Sequence, residues 1–216
     1  MVVRNDLRHM FGEVRDQGAR PTCMVFAVSD VHAGVRPGWE PLSCEYAFYH
    51  AVQSSHGDRS RGVNFDSILC TIRTNGQPPE ECWPYSTTLP SKMTAWEPPQ
   101  NVTPLYRRES ENRTINVDGI LECIDRAAPI VIGMTISNAF YRPGADGVIS
   151  GNEPVDVSRR HAVVGVGHAI CGQERLVLIR NSWGHSWGLK GYAWLSEQYL
   201  SPRLVAYAEL TKDLTH

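Results

Sequence analysis

The 216-residue sequence predicts an α+β fold with helices in its first half and strands in its second. Three observations carry that reading. Capped apolar helical segments run as far as Gly76, an apolar alternation starts at Ile130, and further strand-like runs follow from residue 161.

The first helix organises the chain. Gln17-Gly-Ala-Arg-Pro-Thr22 is a polar turn with a fixed corner at Pro21, and Thr22 opens a helix with Cys23 at its first position. The run after Cys23 is apolar on every side, which marks a buried helix, and Gly34 with Pro37 stops it. A thiol at the positive end of such a helix has its thiolate favoured by the dipole, although a lone cysteine in an apolar helix is ordinarily a core residue. Leu42-Ser43-Cys44-Glu45 reads as an N-cap with an acidic first turn, and this second helix reaches about Gln53. Residues 54–62 form a polar loop. Asn64 then caps a third helix that presents Phe65, Ile68, Leu69 and Ile72 on one face and ends at Gly76.

From Thr87 to Thr114 the sequence is loop-like, a crossover in which Trp96 and Tyr106 are expected to be buried. A short helix over Asp118–Arg126 ends before Pro129, and Ile130, Ile132, Met134 and Ile136 then alternate as a strand. Further strands are expected at 161–170, 175–180, 191–196 and 204–209.

Composition narrows the function. A net charge of −2 gives no reason to expect nucleic acid or an anionic membrane surface as partner. No apolar run approaches the roughly 18 residues of a membrane span, and the N-terminus lacks the apolar stretch of a signal peptide. The six cysteines (23, 44, 70, 82, 123 and 171) are too scattered for a disulfide scaffold, and no C-x-x-C supplies zinc-ribbon spacing. Mostly reduced thiols, no metal and no cofactor are expected, with the cytoplasm or another reducing compartment favoured. The sequons at Asn101 and Asn112 matter only in a secretory compartment.

Two later segments change the meaning of Cys23. His161-Ala-Val-Val-Gly-Val-Gly167 is an apolar strand opening with an imidazole. Arg180-Asn181-Ser-Trp183-Gly-His-Ser-Trp187-Gly-Leu-Lys-Gly191-Tyr192 carries a tryptophan and glycine spacing too long to arise by accident. Alone, His161 reads as a strand-end histidine and Asn181 as a turn former.

Together with Gln17 and Cys23, six residues apart, these segments resemble the papain family of cysteine peptidases, and Leu42-Ser43, Trp83-Pro-Tyr85 and Ala128-Pro-Ile-Val131 resemble family landmarks. The resemblance implies a papain-like fold. A helical subdomain over about 10–105 and a twisted, β-barrel-like subdomain over about 106–205 would enclose the active-site cleft. It further implies that Cys23 is the nucleophile, that His161 is its acid–base partner, and that Asn181 orients the imidazole beneath Trp183. Gln17 and the Cys23 N–H would form the oxyanion hole. An ordinary thiol is only about 3% thiolate at pH 7, so a Cys23–His161 thiolate–imidazolium pair is expected. Gly62, Val63, Asn64, Phe65, Ala162 and Trp183 are the expected substrate-binding residues, with Phe65 walling the second substrate pocket. The implied activity is hydrolysis of peptide bonds in a peptide or protein substrate through a Cys23 thioester. Isopeptide cleavage or acyl transfer by the same triad, and a silent peptide-binding protein, are the alternatives. A protein inhibitor or activator acting in trans is allowed for, because Asp6-Leu7-Arg8 resembles the family's mature start and no propeptide is expected within these residues.

Several residues depart from the family pattern. Arg20 stands where secreted members place a disulfide cysteine, Met24 replaces the tryptophan after the nucleophile, and the Gly-Gly substrate strand is reduced to Gly62-Val63-Asn64. These departures resemble microbial members. Arg159-Arg160 places two cations before His161, which would disfavour the imidazolium and attract an acidic substrate. His168 is expected on the opposite strand face from His161, because the two are an odd number of residues apart, and His185 is expected to be exposed.

Overall fold

The computed structural model describes residues 1–88, 96–151 and 153–215. Six helices and eight strands lie among them, in the order β1 (Val2–Asp6), α1 (Cys23–Gly34), α2 (Cys44–Ser54), α3 (Phe65–Thr74), β2 (Arg108–Asn112), α4 (Val117–Asp125), β3 (Ile130–Thr135), α5 (Asn138–Tyr141), β4 (Val148–Ile149), β5 (Arg160–Cys171), β6 (Glu174–Arg180), β7 (Tyr192–Ser196), α6 (Glu197–Leu200) and β8 (Leu204–Asp213).

Local chemistry sets the helix starts. Ser43 Oγ accepts from the Tyr46 N–H at 3.1 Å, Asn64 Oδ1 from the Ser67 N–H at 2.8 Å, and Asn116 Oδ1 from the Gly119 N–H at 2.6 Å. Thr22 makes no such bond and leaves the first N–H groups of α1 uncapped by a side chain. Helix α1 is buried on all sides, as its sequence predicts, and packs against β3 and β5.

The strands form one sheet in the order β2-β8-β3-β5-β6-β7-β4, with β1 added along β5. Every pairing is antiparallel except β4 with β7. The sheet is open rather than closed into a barrel, since its end strands β2 and β4 do not pair with each other. Its middle strands are covered on both faces. Val131, Ala162, Val164 and Val166 pack with α1, α2 and α3, while Ile130, Ile132, Val163 and Ile179 pack with α4 and the residues around Phe140 and Trp187. Burial on both faces explains the continuous apolar runs of β3 and β5.

Strands β1 and β2 are not evident in the sequence. The charged run Arg108-Glu-Ser-Glu-Asn112 is the outermost strand, paired with β8 inside the expected crossover. Trp96 is buried and Tyr106 is half-buried in that crossover, of which residues 89–95 lie outside the described residues. His168 is also placed differently. A register shift between Gly165 and Gly167 makes Val166 and Ala169 share one face, so His168 returns to the side that carries Val163 and bonds Asp125 of α4 at 2.6 Å. The odd-separation argument fails because the bulge inserts a residue into the alternation.

A buried ionic cluster ties α1 to the sheet. Arg180, at the end of β6, donates from Nε to Asp30 Oδ2 of α1 at 2.7 Å and from Nη1 to the Gly12 carbonyl and the Tyr192 hydroxyl. Arg15 donates to the other Asp30 oxygen at 2.6 Å. The Arg180 guanidinium lies over the rings of Phe11, Trp39 and Tyr192. All six cysteines are free thiols.

Candidate active site

Cys23 is the first residue of α1 and lies half-buried at the floor of a cleft of about 710 Å³. One wall is formed by Gln17–Pro21 and by Gly62–Phe65, and the other by His161, Arg160, Trp183 and Tyr141. Gly133 and Met134 of β3 and Val205 and Ala206 of β8 close the far end. Gly62 permits the close approach of its loop to the Cys23 turn: its φ is +82°, and a Cβ there would stand 2.4 Å from the Pro21 carbonyl oxygen.

His161 sits at the start of β5, buried against Phe140 and Trp183, whose ring centroids lie 5.4 and 4.6 Å from the imidazole. Its Nε2 meets Asn181 Oδ1 at 2.7 Å, and the same oxygen accepts the Ser182 N–H at 2.9 Å. The Ser182 N–H identifies that Asn181 atom as the acceptor, so the imidazole carries its proton on Nε2. Nδ1 is left with the lone pair.

Gln17 is fixed from three sides. Its N–H donates to the Ser182 carbonyl, its Oε1 accepts from Ser182 Oγ at 2.7 Å, and its Nε2 donates to the Arg20 carbonyl at 2.9 Å. One amide N–H remains for a group in the cleft. The Tyr85 hydroxyl donates to the Gln17 carbonyl at 2.8 Å and lies 2.9 Å from Thr22 Oγ1, holding both ends of the turn.

Arg20 fills the position where a disulfide was ruled out. Its guanidinium makes a two-pronged pair with Glu45 of α2, at 2.6 and 2.9 Å, and also donates to the Ser86 carbonyl. It lies over the rings of Tyr85 and Phe48. Glu45 takes two more donors, Trp96 Nε1 at 2.6 Å and the Ser86 N–H at 3.2 Å. The turn carrying Gln17 is therefore stapled to α2 by a buried ion pair.

Burial pushes the Cys23 thiol above its ordinary value, opposed by the backbone N–H groups of Ala162, Met24 and Cys23 itself. It pushes the His161 imidazole down to about 4, opposed by the bond to Asn181. Desolvation thus works against the expected separation of charge and favours the thiol beside the neutral imidazole. The depression of His161 comes from its burial rather than from Arg159 and Arg160.

Of the expected substrate-binding residues, Gly62, Val63, Asn64, Phe65 and Trp183 line the cleft. The structure places Ala162 differently: it is 1% exposed, packed in the core with Val131 and Val164, and is not among the residues that line the cleft. Gly62–Asn64 lie outside any strand, in the loop leading into α3, and the Asn64 side chain is committed to capping α3. His185 is exposed and bonds Glu13 at 2.6 Å. Sequence reasoning missed Ser182, Tyr85 and Glu45. The first two lie inside motifs that were recognised, whereas nothing in the sequence couples Glu45 to Arg20 across 25 residues. Among the described residues no three His, Cys, Asp or Glu side chains converge as a metal site.

The family model for papain family cysteine proteases matches residues 38–204, most of the chain, including His161 and Asn181 and beginning after Cys23. The chain belongs to the papain family. A cysteine protease of the mite Blomia tropicalis is 27% identical over 213 residues, covering 91% of this chain and 62% of its own length. Cysteine proteinase 1 of Entamoeba histolytica is 24% identical, covering 83% of this chain and 58% of its own length. This papain-family chain thus spans about three fifths of the length of these relatives. Xylellain, a cysteine protease from Xylella fastidiosa, superposes with a TM-score of 0.78 at 21% identity over 96% of this chain and 85% of its own, a likeness of fold.

Proposed function

We propose that the protein is a thiol peptidase acting through Cys23, His161, Asn181 and Gln17. The observation that carries the reading is the His161 Nε2–Asn181 Oδ1 bond of 2.7 Å beneath Trp183, on an imidazole that lines the same cleft as Cys23. With Nε2 held by Asn181, Nδ1 is the atom free to take the Cys23 proton as sulfur attacks the scissile carbonyl. The oxyanion then meets the spare Gln17 N–H and the Cys23 N–H at the uncapped end of α1, where the helix dipole also favours negative charge. His161 passes its proton to the leaving amine, and a water activated by the same imidazole hydrolyses the Cys23 thioester.

Hydrolysis of a quenched fluorogenic peptide library tests this. Cys23→Ala and His161→Ala are expected to abolish turnover. Gln17→Ala is expected to lose about a hundred- to a thousandfold in kcat, with KM changed far less. Turnover that survives Cys23→Ala would overturn the assignment, and product appearing only with an added amine would assign acyl transfer instead.

A further inference from the structure

The leaving-group side of the cleft carries an unneutralised positive charge. The walls of the cleft hold Arg20, Arg61 and Arg160, and the adjoining cavity of about 580 Å³, which shares Tyr141 and Trp183 with the cleft, holds Arg142. Among the described residues no Asp or Glu lines either space. Composition does not explain this, since the chain has 23 acidic and 21 basic residues. Two of the four arginines are spent: Arg20 on Glu45, and Arg61 on Asp58 at 3.7 Å. Arg160 and Arg142 are exposed. Among the described residues Arg160 uses only its Nε, on the Val157 carbonyl, and neither arginine has a carboxylate partner. The neighbouring Arg159, by contrast, is held by Asp156 and Asn138.

Their position gives the charge a direction. In the reading proposed above, on which this inference rests, His161 protonates the leaving amine. The departing half of the peptide therefore lies toward His161, Trp183 and Tyr141, and the acyl half lies across Gly62–Phe65. Arg160 adjoins His161, and the cavity bearing Arg142 continues past the Tyr141–Trp183 stack, whose centroids are 5.4 Å apart. We infer that Arg160 and Arg142 select substrates bearing a carboxylate within the first residues on the leaving-group side. A planar guanidinium suits that group because it offers two parallel donors.

Matched peptides test the inference: Glu against Gln at each of the first two leaving positions with amidated C-termini, and a Gln peptide ending in a free carboxylate. Exposed ion pairs correspond to about 1.4- to 5-fold each, so the preferred Glu peptide should exceed its Gln partner about fivefold in kcat/KM. That ratio should fall toward 1 in Arg160→Gln/Arg142→Gln and in about 0.5 M salt. A ratio shown only by the free-acid peptide assigns the chain terminus as the source of the carboxylate. Equal rates for all pairs, or a ratio unmoved by the arginine variants, overturns the inference and leaves the peptidase reading intact. Binding of the same peptides to Cys23→Ser separates the two readings further. Glu-selective binding that needs both arginines, found when the unmodified protein turns over none of these peptides, would sink the peptidase reading alone.

Discussion

The Arg20–Glu45 pair offers the sharpest test of how the site is held. Both side chains are nearly dry, 5% and 2% exposed, and the Glu45 carboxylate receives four donors: two from Arg20, one from Trp96 and one from the Ser86 backbone. Glu45→Gln preserves the volume but replaces one oxygen with an NH2 group. Donors that met that oxygen then face another donor, and the Arg20 charge stays buried without its counterion. Unsatisfied buried donors cost about 1–3 kcal/mol each, and breaking a buried pair by removing one partner costs about 3–5 kcal/mol. Urea unfolding followed by tryptophan fluorescence should therefore show Glu45→Gln destabilised by about 3 kcal/mol. The double variant Arg20→Met/Glu45→Leu should recover part of that loss, because desolvation of both charges is relieved together while Trp96 Nε1 and the Ser86 N–H lose their acceptor. The Arg20 carbonyl is an acceptor for Gln17 Nε2, so Glu45→Gln should also lower kcat more than it raises KM. A loss below about 1 kcal/mol in the single variant, or a double variant no more stable than the single, would refute this account.

Three further outcomes follow from the structure. His32 is fully buried, and burial holds its pKa near 4 against an ordinary 6.5, so the unfolded chain binds the extra proton first between these values. The His32 contribution is complete above pH 6.5 and falls by about 3 kcal/mol as the pH drops to 4, where His161 adds a fall of its own; His32→Gln should make that part of the urea-midpoint profile shallower, and an unchanged profile would contradict it. The first proton leaves the Cys23–His161 pair at about pH 4, as His161 becomes neutral, so kcat/KM should rise through that pH; an acid limb centred above pH 6 would count against a buried imidazole. Gly62→Ala puts a methyl group 2.4 Å from the Pro21 oxygen at a φ of +82°, and thermal denaturation should show a loss of about 2 kcal/mol together with reduced turnover.

The parts legible in the sequence are those whose causes are local. Ser43 and Asn64 announce helix starts within three residues of themselves, and the all-round apolar run after Cys23 announces a buried helix. The Asn181-Ser-Trp183 block was readable because its glycines and tryptophans sit at fixed intervals. What was not legible depends on distant partners. Arg108–Asn112 has no strand pattern of its own and becomes β2 only because β8 offers it an edge. Ala162 follows the histidine in the motif, but strand alternation turns its methyl group into the core and away from the cleft. His168 was misplaced because a bulge cannot be counted from Gly165-Val166-Gly167 alone.

Arg180 stands directly before Asn181, and Asp30 lies on the helix that begins with Cys23, so their buried bond joins the carriers of two groups proposed to act together. Parting α1 from the end of β6 would strip the buried Arg180 cation of its carboxylate. Opening of the cleft between them is opposed by the cost of leaving a buried charge unpaired. Amides in α1 should exchange with deuterium only as fast as the whole molecule opens. Under the proposed reading, a peptide chain would enter and leave past the Gly62 loop and the end of α5 at Tyr141, against a frame in which α1 and β6 are held together.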